Sequence, residues 1–384
     1  MDVLKNKNQC VGCGLCADVC GVNCITMVSA DGGFLYPVID DTKCVSCNKC
    51  RDVCPVLKEK TKISPKGCYA LIDNNSEKRM KSASGGASAL FMEETINRGD
   101  GVCACRLDDY LKAVHKVFVN SEEIDSFRDS KYVQSDMSSA WAEINSLLKQ
   151  NRRIFISGTP CQIAAVKSRF GENDNITTCD FVCSGVPDPA IFEFYKSDLE
   201  KETGKKIKEF YFRDKTNGWK ASNIRVVYDD GTEQVIERKN SYYFKLFGSN
   251  LFFRECCYDC RFKNFNVYSD ITVGDYWGIH KFNPDMDDDK GCSLVIVNSE
   301  KGEKLLFDIK ERCTVVQTPL SFAIDTHPKL IKSIDRSVFR DWFYGIYDGE
   351  EKTFRKAMRI YTNKSFLVRA IKSVYSRVKR KRKR

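Results

Sequence analysis

The chain is 384 residues long, with 62 Lys and Arg against 52 Asp and Glu, and 20 cysteines. That length accommodates two or three domains with one sizeable core, and no run approaches the ~20 apolar residues of a membrane-spanning helix. The net charge of +10 gathers at one end: residues 364–384 carry ten Lys and Arg and no acid, leaving the rest balanced at 52 and 52, which argues against nucleic acid as a partner. Met1 to Gln9 is polar, without the apolar stretch of a secretory signal. A reducing, cytoplasmic setting is therefore expected, where cysteines do not pair as disulfides. His115, His280 and His327 are the three histidines; they are read as surface or hydrogen-bonded structural residues, not as ligands of a His-bound metal.

The first module, residues 1–57, holds two cysteine runs of identical spacing. Cys10, Cys13, Cys16 and Cys20 are followed, 34 residues later at every position, by Cys44, Cys47, Cys50 and Cys54, and then Pro55. This is the spacing of two-cluster bacterial ferredoxins, in which the fourth cysteine of each run ligates the other cluster. Cys10, Cys13, Cys16 and Cys54 are thus expected to hold one 4Fe–4S cluster, and Cys44, Cys47, Cys50 and Cys20 the second. Soft thiolate suits iron–sulfide cores; zinc sites use paired CxxC hairpins instead, and disulfides need an oxidising compartment. Gly21 stands where proline usually follows the fourth cysteine, and Cys24 is read as a buried packing residue. Between the runs, Ile25 to Val28 and Phe34 to Ile39 read as short strands around an Asp31-Gly32-Gly33 turn.

A polar linker, residues 58–66, leads to a main domain, residues 67–348. Its pattern alternates. Strands are expected at Cys68–Ile72, Gly101–Leu107, Arg153–Ser157 and Ile176–Val182, and helices at Gly85–Arg98, Ser138–Gln150 and Gln162–Phe170. Later segments (Ile207–Arg213, Asn223–Tyr228, Thr232–Glu237, Ile271–Val273 and Cys292–Val297) read as strands. The fold class is α/β, α+β overall: a small two-cluster domain, then a larger mixed-sheet domain. Cys161 and Cys183 directly follow predicted strands, and Cys257 and Cys260 form a CxxC. Strand ends gather at one sheet edge, so these four can meet as a four-thiolate site. On spacing alone, zinc, a redox pair and simple packing stay open as alternatives.

From about Lys66 to Gly302 the chain resembles the beta subunit family of coenzyme F420 hydrogenases and dehydrogenases. The resemblance is carried by Ser84-Gly85-Gly86, Lys131 to Ser135, Gly158-Thr159-Pro160-Cys161-Gln162, Cys183-Ser184-Gly185-Val186-Pro187, Phe212 to Lys215, Gly218-Trp219, Cys257-Tyr258-Asp259-Cys260 and Asp270 to Gly278. It implies a flavin, FAD or FMN, and a third 4Fe–4S cluster on Cys161, Cys183, Cys257 and Cys260. Cys256 competes with Cys257 for that role, and Ser184 replaces a histidine often found there. For the flavin, Ser84, Gly85 and Gly86 open a helix whose N–H groups suit a pyrophosphate. Without a GxGxxG this is also an ordinary helix start. Arg213 and Lys215 suit phosphate or a carboxylated substrate, the alternative being a solvated pair with Asp214. Asp275 is read as orienting the ring or capping a turn.

The expected function is an iron–sulfur flavoprotein oxidoreductase. Electrons would pass between ferredoxin, or a redox partner subunit, and a small molecule, either coenzyme F420-like or related to a polysaccharide pathway. The alternative is an electron-transfer subunit with no substrate site of its own. The C-terminal segment, residues 349–384, reads as a basic amphipathic tail: Phe366, Leu367, Ala370, Ile371, Val374, Tyr375 and Val378 recur at helical spacing opposite Arg369, Lys372 and Arg377. Such a helix suits the anionic inner face of a membrane; a solvated tail is the alternative.

Overall fold

A computed structural model describes residues 2–30, 32–59, 62–266 and 269–362. The expected tail helix from residue 364 lies outside the described residues, as do Asp31 of the expected turn and Lys60 and Thr61 of the expected linker. In the module, the sequence repeat is also a backbone repeat. Two short helices, α1 (Leu15–Asp18) and α2 (Lys49–Asp52), each start from a left-handed residue, Gly14 and Asn48, and each end at a valine, Val19 and Val53. Between them β1 (Ile25–Ala30) and β2 (Phe34–Ile39) form an antiparallel hairpin with Ile25 opposite Ile39.

The main domain is built on an eight-stranded mixed sheet, in the order β13-β3-β12-β11-β7-β6-β4-β5. Its strands are β3 (Gly67–Asp73), β4 (Gly101–Leu107), β5 (Ala113–Phe118), β6 (Ile154–Gly158) and β7 (Ile176–Phe181), joined later by β11 (Ile271–Asp275), β12 (Ser293–Val297) and β13 (Cys313–Gln317). The centre, β4-β6-β7-β11, is parallel, and both flanks are antiparallel. β12 (Ser-Leu-Val-Ile-Val) is wholly buried, as a strand covered on both faces must be. Helices α3 (Ser76–Lys81), α4 (Ala87–Asn97), α5 (Ser138–Lys149) and α6 (Pro160–Phe170) follow the early strands. α6 starts at a capping box: Thr159 Oγ1 accepts from the Gln162 N–H, Gln162 Oε1 accepts from the Thr159 N–H at 2.9 Å, and Pro160 occupies the first turn.

After α7 (Pro189–Thr203) comes a second, three-stranded antiparallel sheet of β8 (Ile207–Asp214), β9 (Asn223–Tyr228) and β10 (Glu233–Ile236). With α8 (Tyr242–Gly248) it builds an aromatic core in which Phe192 lies 5.0 Å from both Phe210 and Phe212. The chain ends on α9 (Glu300–Asp308), α10 (Leu320–Thr326), α11 (Arg340–Tyr344) and α12 (Glu351–Thr362). Sequence reading places residues 351–362 in the tail; here they form a helix whose Phe354 is buried against Phe194, at 5.1 Å. No helix among the described residues is long and apolar enough to cross a membrane.

The module is docked on the sheet domain. Leu15 joins the core beside Met137, Trp141 and Ile144, Trp141 Nε1 donates to the Cys13 carbonyl at 3.1 Å, and Ser168 Oγ donates to the Val53 carbonyl at 2.7 Å. The linker is tied down as well, with Lys66 N–H donating to Val297 O at 2.8 Å.

Candidate functional site

In the module, the chain folds each run of cysteines around a common centre. The thiols of Cys13 and Cys16 are pushed up, first by burial and then by Cys10 and Cys54, with Cys13 adding to the effect on Cys16; Cys13 reaches about 12. Cys54 therefore crosses to the first run. Cys50 likewise feels Cys47 and Cys44, and Cys20 is linked to this second group through Cys24. The Cys24 sulfur lies 3.4 Å from that of Cys20 and is also a neighbour of Cys44. Cys24 is buried, as expected of a packing residue.

A third thiol group forms in the sheet domain. Cys161 lies in the first turn of α6, not in the loop before it, because Pro160 and the capping box start the helix earlier than expected. Cys183 follows β7, and Cys257 sits in the 3₁₀ turn Glu255–Asp259 beside Cys260. The Cys161 thiol is pushed up by burial and then by Cys260, Cys183 and Cys257; Cys260 rises to about 12 from burial, then Cys257. Cys257 is the member of the adjacent pair that stands with the other three. Cys256 hydrogen-bonds to it.

Backbone N–H groups aim at sulfur in both regions. Gly12 N–H donates to Cys10 Sγ at 3.4 Å, Gly185 N–H to Cys183 Sγ at 3.3 Å, and Val186 N–H to Cys257 Sγ at 3.4 Å. Such donors favour thiolate over thiol and tune cluster potentials. Among the described residues no group of three or more His, Cys, Asp or Glu side chains is placed to hold a metal ion.

Beside the third group opens a cleft of ≈ 620 Å³, at the carboxyl ends of the parallel strands where such sheets bind ligands. Cys183 is part of its wall, together with Ser84, Gly86, Arg213 and Asp275. Two expected residues are not. A Cβ on Gly85 would lie 2.3 Å from the Leu71 carbonyl and 2.5 Å from the Ser293 N–H, so this glycine serves the close approach of β3 and β12. Lys215 is turned into the protein: its ammonium donates to the carbonyls of Arg79, Ser84 and Lys290 at 2.8, 2.6 and 2.7 Å. Burial, then Arg79 and Arg213, push it down to about 7. It braces the loop before α4 and is not free to neutralise an anion.

Arg213 pairs with Asp275, Nη1 to Oδ2 at 2.8 Å, and not with Asp214. Burial works against its charge, and Tyr132 and Asp275 outweigh that effect. Trp219 Nε1 also donates to Asp275, at 3.3 Å, and stacks on Trp277 with centroids 4.1 Å apart and planes 4° from parallel. Arg213 Nε and His115 Nδ1 are buried without a hydrogen-bond partner, on two residues that line this cleft. Burial pushes His115 down to about 4, keeping the imidazole neutral, while its Nε2 pairs with Ser157 O at 3.0 Å. His327 bonds the Trp277 N–H at 3.3 Å, and His280 lies near Asp287 at 3.2 Å.

Sequence reading missed four cleft residues: Arg238, Lys329, Tyr132 and Trp277. Tyr132 and Trp277 lie within quoted motifs, but nothing in their spacing distinguishes a cleft wall from core. Arg238 and Lys329 come from segments with no motif at all.

Residues 151–321 match the family described as the C terminus of the coenzyme F420 hydrogenase/dehydrogenase beta subunit, and residues 9–57 match the 4Fe-4S dicluster domain. Among solved structures, a chain of the F420-reducing NiFe hydrogenase complex from Methanosarcina barkeri is similar, at 15% identity and a TM-score of 0.47. The match covers 70% of this chain and 90% of that chain. No curated protein matches. The chain thus joins a segment that matches a 4Fe–4S dicluster domain, residues 9–57, to one that matches the coenzyme F420 hydrogenase/dehydrogenase beta subunit family, residues 151–321.

Proposed function

We propose that this chain is an iron–sulfur flavoprotein oxidoreductase that passes electrons from its dicluster module, through a third 4Fe–4S centre, to a flavin and a small-molecule substrate. The observation that carries the reading is the shared wall: Cys183 belongs both to the third thiol group and to the cleft. The donor set fits a third cluster, being four thiols without imidazole or carboxylate, with N–H groups on Cys183 and Cys257.

The cleft fits a flavin on three counts. Its volume lies in the range of cofactor pockets. The eleven-residue α4 opens into it at Gly86, Ala87 and Ser88, so a pyrophosphate would meet a helix N-terminus, where the Ala87 N–H donates to Ser293 Oγ at 3.4 Å. Arg213 and His115 present buried, unpartnered nitrogens there. A bound flavin would exchange one or two electrons and so join one-electron carriers to hydride chemistry. Arg213, Arg238 and Lys329 favour an anionic ligand. Arg213 is fixed by Asp275, so Asp275 acts by orienting it.

The test is anaerobic reconstitution of the full chain and of C183S. Wild type should bind flavin and hold about twelve irons, and C183S about eight, with flavin reduction by reduced ferredoxin lost. A chain that binds no flavin at any concentration would sink the proposal. Turnover of a small molecule by the isolated chain separates an enzyme from a subunit that works only with its partner.

A further inference from the structure

Arg254 is fully buried, yet among the described residues no carboxylate pairs with it. Its partners are neutral: Nε donates to the Cys10 carbonyl at 2.6 Å, Nη2 to the Leu35 carbonyl at 2.8 Å and Nη1 to Gln134 Oε1 at 3.0 Å. The guanidinium lies 4.2 Å from the Tyr36 ring centroid and 5.5 Å from that of Phe34. The nearest acid in sequence, Glu255, is taken by Arg336 at 2.7 Å and Arg340 at 3.2 Å. Meanwhile the Arg254 main chain belongs to the other region. Its N–H donates to Val186 O, and its carbonyl accepts from the Cys257 N–H, both at 3.0 Å.

A buried cation normally needs an anion. The cysteines it meets are those of the two thiol groups: its guanidinium bonds the Cys10 carbonyl and its own carbonyl holds the Cys257 N–H. The chain also makes room for it. Gly12, at φ +71°, has no side chain, and a Cβ there would lie 2.8 Å from Arg254 Nη1 and 2.4 Å from Gln134 Nε2.

We propose that Arg254 is a positioning residue between the two redox regions, docking the cysteine module and raising the reduction potential of the centre held by Cys10. A thiolate-bound cluster is negatively charged and gains another negative charge on reduction, so a fixed buried cation stabilises the reduced form more. The same charge acts on the centre held by Cys257, and this second part rests on the function proposed above; the first part does not. One electron crossing between the centres oxidises one and reduces the other. Arg254 stays protonated throughout and supplies no proton.

The experiment is an EPR-monitored redox titration of the full chain, with iron counted per chain, for wild type, R254M, R254K and Q134E. R254M removes the charge. Q134E keeps the guanidinium and sets a carboxylate against it, so it answers the question even if R254M fails to fold. In both, the reduction equilibrium of a module cluster should fall about tenfold, a shift of about 59 mV for one electron, and R254K should recover most of it. Unchanged potentials in R254M and Q134E with full iron content would overturn the proposal. About eight irons in wild type, with the shift still present, would sink the third cluster and leave Arg254's role at Cys10 standing.

Discussion

The module buries few apolar side chains, among them Val3, Leu4, Ile25 and Val56, and otherwise surrounds its own thiols. The sheet domain buries Phe192, Phe210, Phe212, Tyr243 and Phe252 in one cluster and a wholly buried β12 in another layer. A chain of the module's size closes only a marginal core by itself, to which bound metal adds folding free energy, whereas the larger domain carries its own hydrophobic free energy. Spacing of ligands therefore specifies the first region, and packing specifies the second. The third thiol group is the exception: four cysteines set into a scaffold that packing already holds.

The sharpest way to break this comparison is to remove ligands. C54S takes away the cysteine that crosses between the runs. It should cost about four irons and leave the module susceptible to proteolysis, while the sheet domain keeps its thermal transition; loss of that transition would show that the domain depends on the module. C161S should also lose about four irons, but with both regions resistant. In the aromatic core, F212A should destabilise the sheet domain by about 3–5 kcal/mol, read by denaturant unfolding, with the iron content of the module unchanged. R213M strands the Asp275 carboxylate, whose partner is almost wholly buried. It should cost about 3 kcal/mol and lower flavin occupancy, measured by absorbance per chain. G12A forces a side chain at positive φ against Arg254 and Gln134. It should cost about 1–2 kcal/mol, seen as faster cleavage within residues 58–66.

A pH dependence at the seam between the regions sharpens the comparison further. Asp188 caps α7, accepts from Tyr344 OH at 3.0 Å and lies against Gly32 and Gly33 of the module hairpin. Burial raises it to about 7, against about 3.9 in an unfolded chain. Between those values the folded protein holds a proton that the unfolded chain has released. The stabilisation is thus full below pH ~4 and fades as pH rises to ~7. D188N keeps the cap without the titration, so its unfolding midpoint should fall less between pH 5 and 8. An equal fall in both proteins would remove Asp188 from the account.

The module was legible in the sequence because the spacing of its cysteines is itself the structural instruction, and residues 9–57 match a dicluster domain. The parallel strands were legible as short apolar runs such as Ile154–Gly158. What escaped was set by distance. β13 pairs with the edge of β3 far earlier in the chain, and α7 and α12 carry charged residues through much of their length. Arg254 could not be read at all, since its partners Cys10 and Gln134 lie 244 and 120 residues away. Lys215 shows the converse. A motif lysine suggested an anion site, and three carbonyls 75 to 136 residues away had already claimed its ammonium.

The central claim is that three clusters and a flavin share one chain. Iron, acid-labile sulfide and flavin counted per chain after anaerobic purification test it most directly. The account predicts about twelve irons, an equal amount of sulfide and one flavin. About eight irons with no flavin would contradict it, leaving a dicluster module on a scaffold whose cleft serves something else.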